Sequence, residues 1–199
     1  MTAVRSLEDS GKFTGHEIQN AINSLPDGGE ILLGAGTYIV DEPIYLTSAI
    51  KLRGQGRSQT IIELAPGASC HVFTNKNHMT GNNDISVFDL TIEGNMEHQV
   101  RPKDVMGLTF SCALYFKNCC NINIRDVRTK NIRQTGCHFS KCTDVTVLGF
   151  EAYRVGWSGI STSGTDNIYT LSKVVDSGLD ILHSALHFDG GKNVTSLLC

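Results

Sequence analysis

The sequence repeats itself with a period of roughly 23 residues, and this repeat limits the possible folds more than any other feature. Each copy begins with Asn or Asp followed by a β-branched residue. The copies start at Asp84, Asn121, Asp144, Asn167 and Asn193. The middle three are evenly spaced, the last arrives slightly late, and the first fits if residues 94–108 are an inserted polar loop. Such a repeat is typical of a solenoid, whose coils bury their apolar side chains against one another.

A second pattern precedes each Asn or Asp and reads small, apolar, variable, apolar. Its copies start at Ala113, Gly136, Gly159 and Ala185. This alternation predicts a strand whose second and fourth side chains point inward and whose third points outward. Polar turn residues separate the strands. The sequence therefore predicts an all-β solenoid in which equivalent residues stack about 4.8 Å apart on successive coils.

The start of the chain, residues 1–25, predicts a cap for this solenoid. Thr14 and Glu17 have the spacing of a capping box, and apolar residues follow at helical intervals. We expect a short amphipathic helix within this segment to cover the first coil, and residues 26–199 to form the coils of the same single domain. The sequence ends in the middle of a coil without a visible cap. We expect a longer chain there or a contact with another subunit, such as a homo-oligomer or an end-to-end assembly.

Charge and hydropathy exclude two classes of partner. The chain has 17 basic and 20 acidic residues, a net charge of -3, and scattered Lys and Arg, which argues against nucleic acid. No apolar run approaches the roughly 18 residues of a membrane span, and residues 1–20 lack the pattern of a signal peptide. We therefore expect neither a nucleic-acid nor a membrane partner.

The seven cysteines do not have the spacing of a zinc site. Cys119 and Cys142 occupy equivalent positions in adjacent coils, so their Cα atoms should lie about 5 Å apart. Either a disulfide or a stack of reduced thiols fits that spacing. The carboxylates do not cluster at a spacing suited to calcium, so we expect no tight metal site.

Four stretches near the start of the chain resemble a known superfamily. They are residues 15–22, which begin with Gly15-His16-Glu17, and residues 28–38, which begin with Gly28-Gly29-Glu30. The other two are residues 43–46 and residues 52–56. They are similar to the opening of the pectate-lyase-like right-handed parallel β-helix superfamily, which contains polysaccharide lyases, glycoside hydrolases, uronan C5-epimerases and phage tailspikes. The resemblance implies a right-handed parallel β-helix, a polysaccharide ligand, and an extracellular or virion-associated location. Some relatives use calcium, so calcium is the one cofactor that the resemblance leaves open.

The resemblance also implies that the strand before the Asn turn lines a saccharide groove. Its first outward column is Tyr115, His138, Ser161 and His187. Its second outward column is Lys117, Ser140, Ser163 and Asp189. These two columns are the candidate site. The paired Asp of the polygalacturonases and the Asp-Pro-His of the alginate epimerases do not occur on this strand.

Uronan lyases and epimerases remove a proton from C5, which requires a base, an acid and a group that neutralises the carboxylate. The candidate base is His138 or His187, and the candidate acid is Tyr115. Lys117 or Arg133 could neutralise the carboxylate. We therefore expect a carbohydrate-active protein that acts on an uronate-containing polysaccharide by lyase or epimerase chemistry.

Two alternatives stay open. Glycoside hydrolysis needs two carboxylates, for which Asp189 and either Asp176 or Asp180 are candidates, although Asp180 could simply pair with Arg154. The other alternative is a non-catalytic solenoid that binds glycan or serves as a structural module. Ser161 and Trp157 are candidate substrate-binding residues in each case, but Trp157 could equally pack on a neighbouring coil.

Overall fold

A computed structural model describes residues 3–7, 13–100, 111–180 and 184–198. It contains one α-helix, α1 (Gly15–Asn23), and a 3-10 helix at Met96–His98. The strands are β1 (Val4–Leu7), β2 (Phe13–Thr14), β3 (Gly29–Leu33), β4 (Gly36–Val40), β5 (Ile44–Leu46), β6 (Ile50–Arg53), β7 (Thr60–Leu64), β8 (Phe73–Asn75), β9 (Asn83–Glu93), β10 (Leu114–Lys117), β11 (Cys120–Ile132), β12 (Cys137–Ser140), β13 (Thr143–Val155), β14 (Ile160–Ser163), β15 (Asp166–Val175), β16 (Leu186–Asp189) and β17 (Val194–Leu198).

The strands form two parallel sheets that wind into a solenoid. An eleven-stranded sheet runs in the order β1-β3-β6-β9-β11-β13-β15-β17, with β2, β4 and β7 joined to it through β9. A six-stranded sheet runs in the order β16-β14-β12-β10-β8-β5. Consecutive strands of one sheet come from successive coils, so the predicted right-handed parallel β-helix is confirmed.

The pairing register follows the sequence repeat. Val145 pairs with Ile122 on one side and Ile168 on the other. In the six-stranded sheet Cys137 pairs with Leu114 and Ile160. These side chains are buried, and the rings of Phe116 and Phe139 stack 5.9 Å apart in the core. A ladder of like residues therefore fills the interior, as the alternation predicts.

The Asn and Asp positions of the repeat form the corner between the two sheets. Asp84, Asn121, Asp144, Asn167 and Asn193 all have φ between 52° and 58°. This left-handed conformation is one that Asn and Asp tolerate better than other non-glycine residues. The Asn167 amide donates to Asp144 at 2.9 Å, and the Asn193 amide donates to Asn167 at 2.8 Å. From Asp144 to Asn193 the predicted turn ladder is thus a chain of side-chain hydrogen bonds from coil to coil.

The cap is the predicted helix α1. Its N-cap is Thr14, whose backbone N–H donates to the Glu17 carboxylate at 3.1 Å. Ile18 and Ile22 are fully buried in the core of the solenoid. The Gln19 amide accepts from the Tyr45 N–H at 2.7 Å and donates to the Tyr45 carbonyl at 3.2 Å, which ties the helix to β5. The assignment of residues 1–199 to one domain, and a contact at the last coil, stay predictions.

The sequence left open the redox state of the Cys119–Cys142 pair and predicted a polar loop at the insertion. Cys119 and Cys142 are both buried free thiols, so the structure has the reduced form of the pair. The Cys119 thiol donates to the Lys117 carbonyl at 3.4 Å, and the Cys142 thiol donates to the Phe116 carbonyl at 3.5 Å. Of the inserted loop, residues 96–98 form a 3-10 turn and Gln99 is buried, while residues 101–108 lie outside the described residues.

Candidate functional site

The first outward column lies in register on the six-stranded sheet. Tyr115 pairs with His138, His138 with Ser161, and Ser161 with His187, each on the next strand. Each side chain projects from its strand between two inward residues of the core, as the alternation requires. Parallel pairing puts neighbours of the column about 4.8 Å apart. The chain thus builds a continuous row of polar side chains along the solenoid axis.

Aromatic rings in this row stack on one another. The centroid of Tyr115 lies 4.5 Å from that of His71 and 5.5 Å from that of His138, with an interplanar angle of 5° in both pairs. His78 meets Tyr115 edge-on at 5.4 Å. We call His71, Tyr115 and His138 the ring stack. Because neighbouring rings cover each other's faces, a ligand would meet ring edges, which carry the nitrogen atoms and the phenol oxygen.

Ser161 fixes the orientation of His138. The His138 Nδ1 and the Ser161 hydroxyl oxygen lie 2.6 Å apart. Burial, and secondarily the charge of His187, lowers the pKa of His138 to about 4. His138 is therefore neutral at neutral pH, with Nδ1 engaged by Ser161. Its Nε2 is the nitrogen through which it can exchange a proton with a ligand.

His71 and His78 are site residues that the sequence repeat does not predict. The Cys112 N–H donates to His71 Nδ1 at 3.2 Å, and His78 Nε2 lies 2.8 Å from the Thr74 hydroxyl. Burial, and secondarily Lys117, lowers the pKa of His78. The coil that carries them departs from the apolar alternation because Asn75 takes the fourth position. The sequence signal that could have located this coil is the Asn at the fourth, inward position of the pattern.

The second outward column is also in register and carries charge at both ends. Lys117 pairs with Ser140, Ser140 with Ser163, and Ser163 with Asp189. Lys117 is half-buried, whereas Asp189 is exposed. Three strand spacings put these two charges about 15 Å apart. The hydroxyl groups between them are neutral donors and acceptors of the kind that bind sugar hydroxyls.

Arg133 and Asp180 form a buried ion pair, so the expected pairing of Asp180 with Arg154 is wrong. Arg133 Nη1 lies 3.0 Å from both Asp180 carboxylate oxygens, and its Nη2 donates to the Met96 carbonyl at 2.6 Å. Their side chains are only 11% and 8% exposed. Arg154 instead contacts Asn131 and Glu97. The Arg133 guanidinium is therefore occupied within the fold rather than offered to a substrate carboxylate.

Gly156 explains why Arg133 and Asp180 meet across an intervening coil. It lies between them, its N–H donates to the Ile132 carbonyl, and its carbonyl accepts from the Asp180 N–H at 2.9 Å. A Cβ at this position would stand 2.1 Å from the Arg133 carbonyl oxygen and 2.6 Å from an Asp180 carboxylate oxygen. Only glycine leaves room for the pair.

Trp157 lies on the turn that leads into β14. Its backbone N–H donates to the Gln134 carbonyl at 2.8 Å, and its carbonyl accepts from the Gly178 N–H at 2.7 Å. The side chain is half-buried. Asp176 has a φ of 56°, as a turn residue of the corner type does. The binding role of Trp157 stays a prediction, and the backbone of Asp176 accounts for its residue type.

Neither metals nor membranes have an evident site in the described parts of the chain. Within residues 3–7, 13–100, 111–180 and 184–198, no group of three or more His, Cys, Asp or Glu residues is arranged to hold a metal ion. Over the same residues, no helix has the length and apolar character that a bilayer crossing requires. A role for calcium stays open.

A solenoid of this kind with a polar outward row is a pectate-lyase-like β-helix. The family model described as "Rhamnogalacturonase A/epimerase, pectate lyase-like" matches residues 7–151. The chain belongs to that family, and the sequence-based recognition of the superfamily is confirmed.

Relatives of known structure share the fold but differ in what they do. The pre-neck appendage protein of Bacillus phage phi29 is 22% identical over 169 residues, which are 84% of this chain and 19% of the phage protein. The crystal structure of pre-mature bacteriophage phi29 gene product 12 has a TM-score of 0.73 at 22% identity and covers 81% of this chain and 24% of its own. A family 28 exopolygalacturonase from Yersinia enterocolitica has a TM-score of 0.66 at 13% identity, over 96% of this chain and 49% of the enzyme.

These likenesses establish the fold alone, because identities of 22% and 13% are too low to carry an activity from one protein to another. The chain spans about a fifth of the length of the phage proteins it matches. The same scaffold carries an appendage in one relative and an exopolygalacturonase in another. The activity must therefore be argued from the site.

Proposed function

We propose that this chain binds a uronate-containing polysaccharide along the outward face of the six-stranded sheet and removes the C5 proton of one sugar, as a lyase or a C5-epimerase. The observation that carries the proposal is the in-register row Tyr115, His138, Ser161 and His187 beside the Lys117 column. A polymer lying along the solenoid axis would meet the same face repeatedly, and its successive sugars would face successive coils.

His138 is the proposed base. In the proposed tautomer the Nδ1–H donates to the Ser161 hydroxyl oxygen, 2.6 Å away, and Nε2 is the acceptor that takes the proton from C5. A pKa of about 4 keeps the free imidazole neutral and ready to accept. The negative charge of a bound uronate favours the imidazolium and raises this pKa toward the working pH. His187, one strand beyond Ser161, is the alternative base.

Tyr115 and Lys117 complete the reaction. The Lys117 ammonium neutralises the substrate carboxylate and so stabilises the carbanion that forms when C5 loses its proton. In elimination the electron pair forms a C4=C5 double bond, the C4–O bond breaks, and the Tyr115 hydroxyl protonates the leaving oxygen. In epimerisation the Tyr115 hydroxyl instead gives its proton to C5 on the opposite face, and no bond in the polymer backbone breaks.

Hydrolysis has less support from the candidate carboxylates. Asp180 is held by Arg133, and the left-handed φ of Asp176 is that of a turn residue. Asp189 then lacks a second candidate among these residues, whereas the mechanism needs a pair.

The second candidate function is glycan binding without catalysis, as part of a virion. The observation that favours it is the likeness to phage pre-neck appendage proteins. In that case the row would recognise the polysaccharide, and the imidazoles would donate and accept hydrogen bonds without transferring protons.

The test is to incubate the protein with a panel of polyuronates in deuterium oxide and follow the products by ultraviolet absorbance and NMR. Lyase activity gives unsaturated chain ends, and epimerase activity gives deuterium at C5 in uncut chains. Both should fall about 100-fold or more in His138→Gln, while His16→Gln, on the exposed cap helix, serves as the matched control.

The remaining outcomes of this experiment would reject the proposed base or favour a different function. Unchanged activity in both His138→Gln and His187→Gln would remove the proposed base. Binding without either product would establish the non-catalytic alternative. New reducing ends without unsaturation would show hydrolysis, and the absence of any binding would reject both candidate functions.

A further inference from the structure

Two lysines lie next to each other at one end of the candidate site. The register of β8 and β10 pairs Phe73 with Leu114 and Thr74 with Tyr115. Lys76 follows β8 directly, at the position that continues this register toward Lys117. The Asn75 side chain replaces the backbone ladder at this point and joins the two segments, because it accepts from the Lys117 N–H at 2.9 Å and donates to the Lys117 carbonyl at 3.1 Å.

Neither lysine has an ion-pair partner in the part of the chain that the structure describes. Among the described residues, no ion pair involves Lys76 or Lys117, whereas Lys51 and Lys130 each have a Glu partner. His78, which meets the Tyr115 ring edge-on, supplies no negative charge here, and its pKa is lowered by burial and secondarily by Lys117. The carboxylate of the same column, Asp189, is three strands from Lys117. Like charges on adjacent strands repel each other, so this arrangement costs stability unless an anion joins it.

The surface next to Lys76 has room for such an anion. A shallow cavity of about 420 Å³ is lined by Gln19, Asn23, Tyr45 and Lys76. Tyr45 is 42% exposed and pairs with Thr74, so it belongs to the same outward column as Tyr115, two strands away. The Gln19 side chain holds the Tyr45 backbone from both sides. The ring is thus presented by a fixed strand rather than by a loop.

We propose that Lys76 and Tyr45 form a distal subsite for a second carboxylate-bearing sugar of the same polysaccharide, next to the sugar that Lys117 holds. This inference rests on the proposed function and gives the bound glycan a direction in the site. Lys76 supplies a point charge for the carboxylate, and the half-exposed Tyr45 ring supplies apolar surface with a hydroxyl at its tip. Because Lys76 is two strands from His138, about 10 Å away, a single sugar at His138 does not reach it.

The experiment compares the affinity of short and long galacturonate oligomers for the full chain by calorimetry. Lys76→Gln should weaken the binding of a long oligomer about tenfold, as expected for one charge-assisted contact, and leave the binding of a galacturonate monomer unchanged, because one sugar held by Lys117 does not reach Lys76. Lys117→Gln should weaken both. A long oligomer whose carboxylates have been reduced to alcohols should bind wild type and Lys76→Gln equally. Lys173→Gln, which removes the same charge from the eleven-stranded sheet, is the control.

The outcomes separate this inference from the proposed function. If wild type binds the long oligomer and Lys76→Gln binds it equally well, the distal subsite is refuted and the proposed function stands. An equal loss in Lys173→Gln also refutes it, because the effect is then one of net charge. If wild type binds no oligomer from any member of the polyuronate panel, the proposed function fails, and the distal subsite fails with it.

Discussion

The two sheets of the solenoid differ in how they treat charge. On the eleven-stranded sheet, Arg53 lies between Glu30 and Asp89 at 3.2 and 2.8 Å, and it also stacks over the Phe88 ring. Arg128 contacts Glu151 at 2.8 Å. On the six-stranded sheet, the described part of the chain provides no ion pair for Lys76 or Lys117, and the rings there stack on each other instead.

This difference indicates that the charges of the eleven-stranded sheet serve the fold, whereas those of the six-stranded sheet are available to a ligand. Charges that neutralise each other in place contribute little net stability at the surface, but they do not repel. Charges left unneutralised and side by side are unfavourable in the free protein. Such a cost is expected at a binding face, where the ligand supplies the missing charge.

The largest expected effect is on stability, at the Arg133–Asp180 pair near the end of β11. Arg133→Met should lower the free energy of unfolding by about 3–5 kcal/mol, because it leaves the Asp180 carboxylate buried and unpaired. Urea unfolding at neutral pH measures the loss. Lys117→Met, the matched change on the six-stranded sheet, should cost far less. A loss below about 1 kcal/mol would mean that the pair behaves like an exposed one.

His138 should make stability depend on pH. Its pKa is about 4 in the folded chain and 6.5 ordinarily, so the unfolded chain binds more protons between these values. Its contribution, up to about 3 kcal/mol, is therefore complete above pH 6.5 and is lost as the pH falls toward 4. His138→Gln should remove this part of the slope in urea unfolding between pH 7 and 4.5, and His16→Gln should retain it. Equal slopes in wild type and His138→Gln would contradict a depressed pKa.

The sequence predicts the part of the fold that depends on repetition. The alternation in Leu114, Cys137 and Ile160, and the recurrence of Asn or Asp at the corners, define the coils, the inner ladder and both outward columns. These features follow because each depends only on the period of the chain. The helix α1 follows from local capping chemistry at Thr14.

The rest depends on contacts that the period does not contain. The sequence pattern misses His71 and His78 because Asn75, a hydrogen-bonded amide, stands in their coil where the alternation expects an apolar residue. Arg133 reaches Asp180 because Gly156 leaves a gap between them. An aligned glycine between an arginine and an aspartate was the one signal for that pair, and it is visible only after the coils are aligned.

The corner ladder that joins the two sheets should give the next effect. Asn167→Ala should lower the free energy of unfolding by about 1–2 kcal/mol, since alanine is disfavoured at a φ of 52° and the hydrogen bonds to Asp144 and Asn193 are lost. Asn167→Gly should cost less, because glycine accepts that φ without strain. Denaturant unfolding of the three proteins measures the difference. Equal losses in the two variants would show that the hydrogen bonds, which both variants lack, dominate over the backbone conformation.

The smallest expected effect has opposite signs on the two sheets. Lys130 lies 3.0 Å from Glu93 on the eleven-stranded sheet, and Lys130→Gln should lower the free energy of unfolding by up to about 1 kcal/mol. Lys117→Gln should raise it by a few tenths of a kcal/mol in the absence of glycan, because it removes the repulsion from Lys76. Both shifts should shrink in high salt, which screens attraction and repulsion alike. If Lys117→Gln destabilises the chain as much as Lys130→Gln, the Lys117 ammonium is already neutralised within the fold, and the contrast between the sheets is lost.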